Sequence, residues 1–327
     1  MNKLGYWLAF ALAAAQPMFA PSALAQGASR EWPQRAVRLI LPFGPASGAD
    51  IAARLLADKL QAVWGKPVVV EGKPGGDGLL SIGTVVNAKD DHVLFFGPSS
   101  AYVVHPYVHD NLPYDPERDL LPIAGVARVL VCVSVPTSLG VGGLKELVGY
   151  AKANPGKASY GVAPGFSEFV WNGFMRKEGV EMAKVPYRDI TTAPTDLGEG
   201  RIHVLMQSYA AMRPAEQGGK VRIIAITSEK RAVVAPTIPS AVEAGYASLV
   251  ASPVLGMLGP RDMALEVRRK AGADIVEVLK DKSVGEKLAI TGQVPEPMGA
   301  DAFGVAIREQ QDRVAAIAKV LGIARKK

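Results

Sequence analysis

Nine residues, Pro42-Phe43-Gly44-Pro45-Ala46-Ser47-Gly48-Ala49-Asp50, carry the clearest chemistry in the chain. They lie between an apolar run at 37–41, which reads as a strand, and an amphipathic run at 51–64, which reads as a helix. A strand that breaks into a small-residue loop and then opens a helix leaves backbone N–H groups without intrahelical acceptors. Those groups sit at the positive end of the helix dipole, and the two effects together make an anion site. No Arg or Lys lies between Pro42 and Asp50, so main-chain capture is the only anion chemistry this loop offers. Ala46, Ser47, Gly48 and Ala49 are small enough to let an anion approach the backbone, and the Ser47 hydroxyl can donate. The competing reading is an ordinary strand–helix turn capped by Ser47. Asp50 suits the dipole but would repel an anion aimed at the same turn, so its expected part is to brace the loop.

Other constellations are weaker. Gly75, Gly76 and Gly78 form a flexible turn, but Ser81 stands where a GxGxxG fingerprint needs glycine, so no dinucleotide site is expected. His105 and His109 are four residues apart, a spacing that can put two ligands on one helical face, and Pro106 permits a helix to start there. No Cys, third His or HExxH accompanies them, and a solvated or capping role is expected rather than a metal site. No GxSxG elbow, P-loop or nucleophile–base pair is present. Neither catalytic residues nor cofactors are expected.

The elements that must position these residues alternate. The runs 37–41, 68–70, 93–96, 129–135, 159–162, 203–206 and 223–227 predict strands. The runs 51–64, 79–87, 144–152, 171–177, 241–244, 265–280 and 300–321 predict helices. In the first helix Ile51, Leu55, Leu56, Leu60 and Val63 are expected to form the apolar face. The alternation predicts an α/β architecture with helices covering the sheets. Runs around 129–135 and 249–256 read as crossovers between two lobes.

Composition bounds the class. Hydrophobic residues make up 49% and charged residues 21% of the 327-residue chain, enough apolar surface for a sizeable core. The start reads as a removable signal peptide: Lys3, a short apolar core at 4–15, and Ala23-Leu24-Ala25 as the cleavage site. No later run is long enough to cross a membrane. The formal charge of +6 is mild and its carriers are scattered, which argues against nucleic acid as a partner. Cys132, the single cysteine, reads as a buried apolar residue.

Over nearly its whole mature length the chain resembles the Bug receptors, the extracytoplasmic solute-binding components of tripartite tricarboxylate transporters. The motifs are collinear. Pro42-Phe43-x-Pro45-x-x-Gly48-x-Asp50 follows the first loop of that family, and Lys73-Pro74-Gly75-Gly76-Asp77-Gly78 its "RPGAGG" turn. Leu112-Pro113-Tyr114-Asp115-Pro116-x-x-Asp119 follows "LPYDPxxD". Tyr150 to Lys157 and then Ser159-Tyr160-Gly161 match closely, and Val185-Pro186-Tyr187-Arg188 resembles "VPYKG". Ala225-x-Thr227-Ser228-x-x-Arg231 and Glu243-Ala244-Gly245 complete the series.

The resemblance implies a type II periplasmic-binding-protein (Venus-flytrap) fold, with two α/β lobes joined by a crossover hinge. The expected division is a signal peptide over 1–25, lobe 1 over 26–128 and 251–327, and lobe 2 over 129–250. It further implies a monomeric periplasmic receptor for a small organic acid, delivered to transporter membrane subunits. A sensor for a signalling partner and, further off, an exported hydrolase are the alternatives. Candidate ligand contacts are Phe43, Ala46, Ser47, Gly48, Ala49, Asp50, Gly76, Gly78 and Ser100 in lobe 1. In lobe 2 they are Ala163, Phe166, Ser167, Phe169, Tyr187, Gln207 and Ser208. The chain departs from the family between Gly161 and Trp171, where hydroxyl and amide donors give way to Phe166, Phe169 and Trp171, and Asp189 stands where Gly is usual. If that loop lines the cleft, a ligand with an aromatic or apolar body is favoured. The alternative is that these aromatics pack into the core of the lobe.

Overall fold

The computed structural model describes residues 32–45, 47–162, 165–187 and 190–326, except the side chains at 100 and 101. The expected leader, Ala46, Ala163, Asp189 and the Ser100 side chain lie outside the described residues. Trp32 falls in the unit Met1–Trp32, and every element belongs to the unit Pro33–Lys327.

In chain order the strands are β1 (Val37–Leu41), β2 (Val68–Gly72), β3 (Val93–Pro98), β4 (Leu120–Val129), β5 (Val131–Pro136), β6 (Ser159–Val162), β7 (Ala183–Lys184), β8 (Val204–Ser208), β9 (Val221–Ile226), β10 (Val254–Pro260) and β11 (Gln293–Met298). The helices are α1 (Gly48–Trp64), α2 (Leu79–Ala88), α3 (Ser99–Val108), α4 (Leu144–Ala153), α5 (Phe166–Glu178), α6 (Ala193–Gly198), α7 (Tyr209–Gln217), α8 (Leu265–Val278), α9 (Lys282–Ile290) and α10 (Ala300–Leu321). They form two α/β lobes. One sheet runs β11-β4-β10-β3-β1-β2 and the other β7-β6-β8-β5-β9. β1 is buried along nearly its whole length, as an interior strand covered on both faces must be. It pairs in parallel with β2 and β3, while β6 pairs in parallel with β8.

Only part of this was expected from pattern. The predicted strand at 129–135 is two strands from different sheets. Leu130 separates them because its N–H donates to the Gly292 carbonyl (3.1 Å) and its carbonyl accepts from the Tyr209 N–H (2.9 Å). The predicted helix at 241–244 is a series of turns closed by Ala244 N–H to Ser240 O (3.0 Å) and ended by Gly245 at φ 86°. Four residues are too few to offset the cost of a helical nucleus. α1 does not bury the face predicted for it. Ile51 and Val63 are exposed, and the packed stripe is Ala49, Ala52, Ala53, Leu56, Ala57, Leu60 and Trp64. Small alanines let the helix lie close on its sheet, and Leu56 and Leu60 each contribute about 1.5–3 kcal/mol by burial. β4, β10 and β11 escape the period-2 pattern because they carry Pro, Gly and register shifts.

Candidate functional site

Strand direction decides where the candidate residues meet. β1 and β3 are parallel, so α1 and α3 both start at one edge of the first sheet. β4 lies antiparallel to β10, which lies antiparallel to β3, so β4 also ends at that edge. From there Leu130 leads into β5, whose first residue pairs with Ser208 at the end of β8. β6 is parallel to β8, so α5 and α7 both start at this edge of the second sheet. The crossover thus sets two carboxyl edges against each other, with four helix N-termini around the join. Binding sites in open α/β sheets lie at such edges.

A second crossover, between β9 and β10, is tied to the first by Thr227. Its N–H and hydroxyl both donate to the Val131 carbonyl (2.8 and 3.0 Å), the hydroxyl also reaches the Ala251 carbonyl (2.8 Å), and the Ala251 N–H donates back to Thr227 (2.8 Å). Thr227 is buried, so these bonds work in a low-dielectric setting.

The first loop is held from three sides. A Cβ on Gly72 would fall 2.6 Å from the Phe43 carbonyl, so β2 admits only glycine where the loop crosses it. Pro42 packs on the glycine turn, where a Cβ on Gly78 would lie 3.4 Å from it. The Gln293 amide donates to the Gly48 carbonyl at 2.7 Å, anchoring the start of α1 to β11. Ser47 is the N-cap, its hydroxyl accepting from the Asp50 N–H (3.2 Å). Gly48 and Ala49 occupy the first two helical positions, whose N–H groups have no intrahelical acceptor. Asp50 is buried, and both its oxygens take the Arg54 guanidinium Nε at 3.0–3.1 Å. Phe43 stays exposed.

Three of the four helices have no side-chain cap. α3 begins after Pro98, α5 after Gly165 in a positive-φ conformation (84°), and α7 after Ser208. Around α7, the Gln207 side-chain carbonyl accepts from the Ser208 N–H (2.8 Å), and the Cys132 thiol lies 3.4 Å from the Gln207 main-chain carbonyl. Burial pushes that thiol up to about 12.

The other candidates separate. Gly76 and Gly78 lie in the turn beside Pro42, both at positive φ (55° and 91°). Ser167 is buried in the first turn of α5. Trp171 is core, packed at a tilt against Tyr160 and Phe174 with ring centroids 5.8 and 5.2 Å away. Phe166 and Phe169 are buried core residues too: Phe169 packs on Tyr107 of α3 (5.9 Å), and Phe166 borders a cavity of about 400 Å³ whose wall is largely charged, with Arg128, Glu229, Glu296 and Arg313. Tyr187 is drawn toward its own lobe. Its hydroxyl donates to Asp196 (2.9 Å), and burial together with that carboxylate pushes it up to about 12.

Sequence reasoning missed Gln293, 245 positions from its Gly48 partner, and Asp77, which turns toward the second lobe. An Asp77 carboxyl oxygen lies 3.7 Å from where a Cβ on Gly165 would sit. The expected solvated role for the histidine pair is corrected for His105. It is fully buried, with Nδ1 2.6 Å from the Tyr114 hydroxyl and Nε2 2.9 Å from the Asp77 carbonyl. Nor does α3 start at Pro106, which lies in its last turn.

Two lobes that meet across their strand ends, with helix N-termini turned toward the join, define a solute-binding protein of the two-lobe type. Residues 52–323 match the family described as Tripartite tricarboxylate transporter family receptor, and the chain belongs to that family. Its receptors are periplasmic, and no helix among the described residues is long and apolar enough to cross a membrane. The chain is similar to protein BugT of Bordetella pertussis, 28% identical over 295 residues that cover 89% of this chain and 90% of BugT. A UPF0065 protein of Bordetella bronchiseptica is 29% identical over 299 residues, covering 89% and 86%. Among solved structures, R. palustris Rpa4515 with adipate superposes with a TM-score of 0.79 at 28% identity, covering 90% of this chain and 99% of that one.

Proposed function

We propose that the chain is a periplasmic receptor that captures a small organic carboxylate between its lobes and delivers it to transporter membrane subunits. The observation that carries this reading is the set of helix N-termini facing the join, with the unacceptored Gly48 and Ala49 amides at its fixed side. A carboxylate there takes charge-assisted N–H bonds and the favourable end of the dipole, without needing a cation. Family membership and the adipate held by Rpa4515 support it. Removal of a leader after Ala25 would deliver the chain to the periplasm. Lobe 1 then comprises 26–128 and 251–327, and lobe 2 comprises 129–250.

A thermal-shift screen of adipate, malate and benzoate with the matching amides tests the reading. At least one acid is expected to raise Tm where its amide does not; the reading fails if none does. The variant Gly48→Leu, whose Cβ would press on the Gln293 amide at 3.1 Å and otherwise make ordinary contact with Thr291 at 3.5 and 3.8 Å, should fold. It should lose the shift, because two charge-assisted bonds are worth a tenfold loss or more. An unchanged affinity would remove the first loop from the site.

A further inference from the structure

We propose that Asp77, His105 and His109 form a binding site for a divalent transition-metal ion, with zinc the best fit, in the first lobe beside the start of α5. The site is built from a sequence pair and a long-range partner. His105 and His109 stand one helical turn apart at the end of α3, their rings 5.0 Å between centroids and nearly perpendicular. Asp77 comes from the turn Gly76–Gly78 and holds a left-handed backbone at φ 56°, which a non-glycine residue adopts only at a cost. That conformation brings its carboxylate to both rings. One oxygen lies 3.7 Å from His105 Nε2 and 3.7 Å from His109 Nε2.

A separation of 3.7 Å is too long for a hydrogen bond. It is close to the roughly 3.3 Å between ligands of a tetrahedral ion held by bonds of about 2.0–2.1 Å. His109 Nε2 is buried and has no hydrogen-bond partner among the described residues. One donor atom from each of the three residues lies within 4.8 Å of the others. The Asp77 main-chain carbonyl lies 2.9 Å from His105 Nε2 and accepts a hydrogen bond when that nitrogen carries the ring proton.

The surroundings suit such an ion. His105 Nδ1 lies 2.6 Å from the Tyr114 hydroxyl. With an ion on Nε2, the ring proton sits on Nδ1 and donates to Tyr114, which orients the imidazole as outer partners do in metal sites. Tyr114 itself is buried and comes from the Leu112–Asp119 segment. That segment is bonded to itself: the Asp115 carboxylate accepts from the Glu117 and Arg118 N–H groups, and Asp119 accepts from the Asp115 N–H.

The test uses tagless, chelator-stripped full chain, titrated with Zn²⁺ against a chromophoric chelator and with Co²⁺ by visible absorption. The expected result is one Zn²⁺ per chain, a Co²⁺ band of four-coordinate intensity, and an affinity at least tenfold lower in His109→Ala and Asp77→Asn. Asp77→Gly guards against misfolding, since glycine accepts φ 56° without strain. It should raise the metal-free Tm by about 2–4 °C while abolishing Zn²⁺ binding. Wild-type stoichiometry near zero, or an unchanged affinity in Asp77→Gly, would overturn the proposal.

Discussion

Replacing Gly292 by alanine should damage the join between the lobes by an amount the structure specifies. Gly292 adopts φ +71°, and a Cβ placed there would lie 2.7 Å from the Ala210 Cβ and 3.0 Å from the Ala210 nitrogen. An alanine in the left-handed region costs about 1–2 kcal/mol. Ordinary contact begins near 3.4 Å, so α7 must also retreat by more than half an ångström, an overpacking cost of about 1–3 kcal/mol. The sum is about 2–5 kcal/mol, or a fall in Tm of about 4–10 °C at roughly 2 °C per kcal/mol for a chain of this size. Calorimetry on Gly292→Ala, Ala210→Gly and the double variant separates the parts. Ala210→Gly alone should cost no more than about 1 kcal/mol. In the double variant the Cβ–Cβ clash is gone and only the backbone strain and the approach to nitrogen remain. The double should therefore be at least about 1 kcal/mol less destabilised than the sum of the singles. Additivity within about 0.5 kcal/mol would refute the packing argument. The position matters for binding too. The Gly292 carbonyl holds the Leu130 N–H, and Leu130 holds the first amide of α7, so Gly292→Ala should also weaken ligand-induced stabilisation.

Two further outcomes follow from charge and burial. Cys132 is buried with its thiol pushed up to about 12, so it should resist DTNB at pH 8 in the native state and react fully in guanidinium. Rapid native labelling would show that β5, an interior strand between β8 and β9, opens in the native state. Asp119 is held below the usual carboxylate range by Arg118 and the Asp115 N–H, and Lys59 holds Asp281 down to about 2. A carboxyl whose folded value is depressed contributes stability that is complete above the unfolded value, near 4, and is lost as pH falls through the folded value. The difference in Tm between wild type and Asp119→Asn should therefore shrink as pH drops from about 5 to about 2. A difference that does not change over that window would mean that the Asp119 charge contributes nothing to folding.

Much of the fold is legible where one segment meets one environment. β1 is a continuous apolar run because it is covered on both faces, and α10 is bounded at Ala300–Leu321 by its own period and by Gly322 beyond it. The first loop reads as a helix-opening anion site because its small residues and absent cations are local facts. β4, β10 and β11 read poorly because strands at crossovers and bulges obey their neighbours rather than a period. The apolar face of α1 was misjudged for a related reason. Its alanines pack closest to the sheet, and size as well as hydropathy chooses the buried stripe.

The amino-acid sequence alone determined the alternation of strands and helices, the small-residue loop at Pro42–Asp50 and the resemblance to a receptor family. Those properties depend on side-chain type and short spacing. Only the tertiary structure decided which helix starts share an edge, that Gln293 anchors Gly48, and that Asp77 closes on His105 and His109. It also decided that Phe166, Phe169 and Trp171 all pack into the core, Phe169 against Tyr107 of α3. These contacts join residues tens to hundreds of positions apart, and no local preference encodes them. Strand direction, the packing of helices on each sheet and the two crossovers between the sheets bring them together.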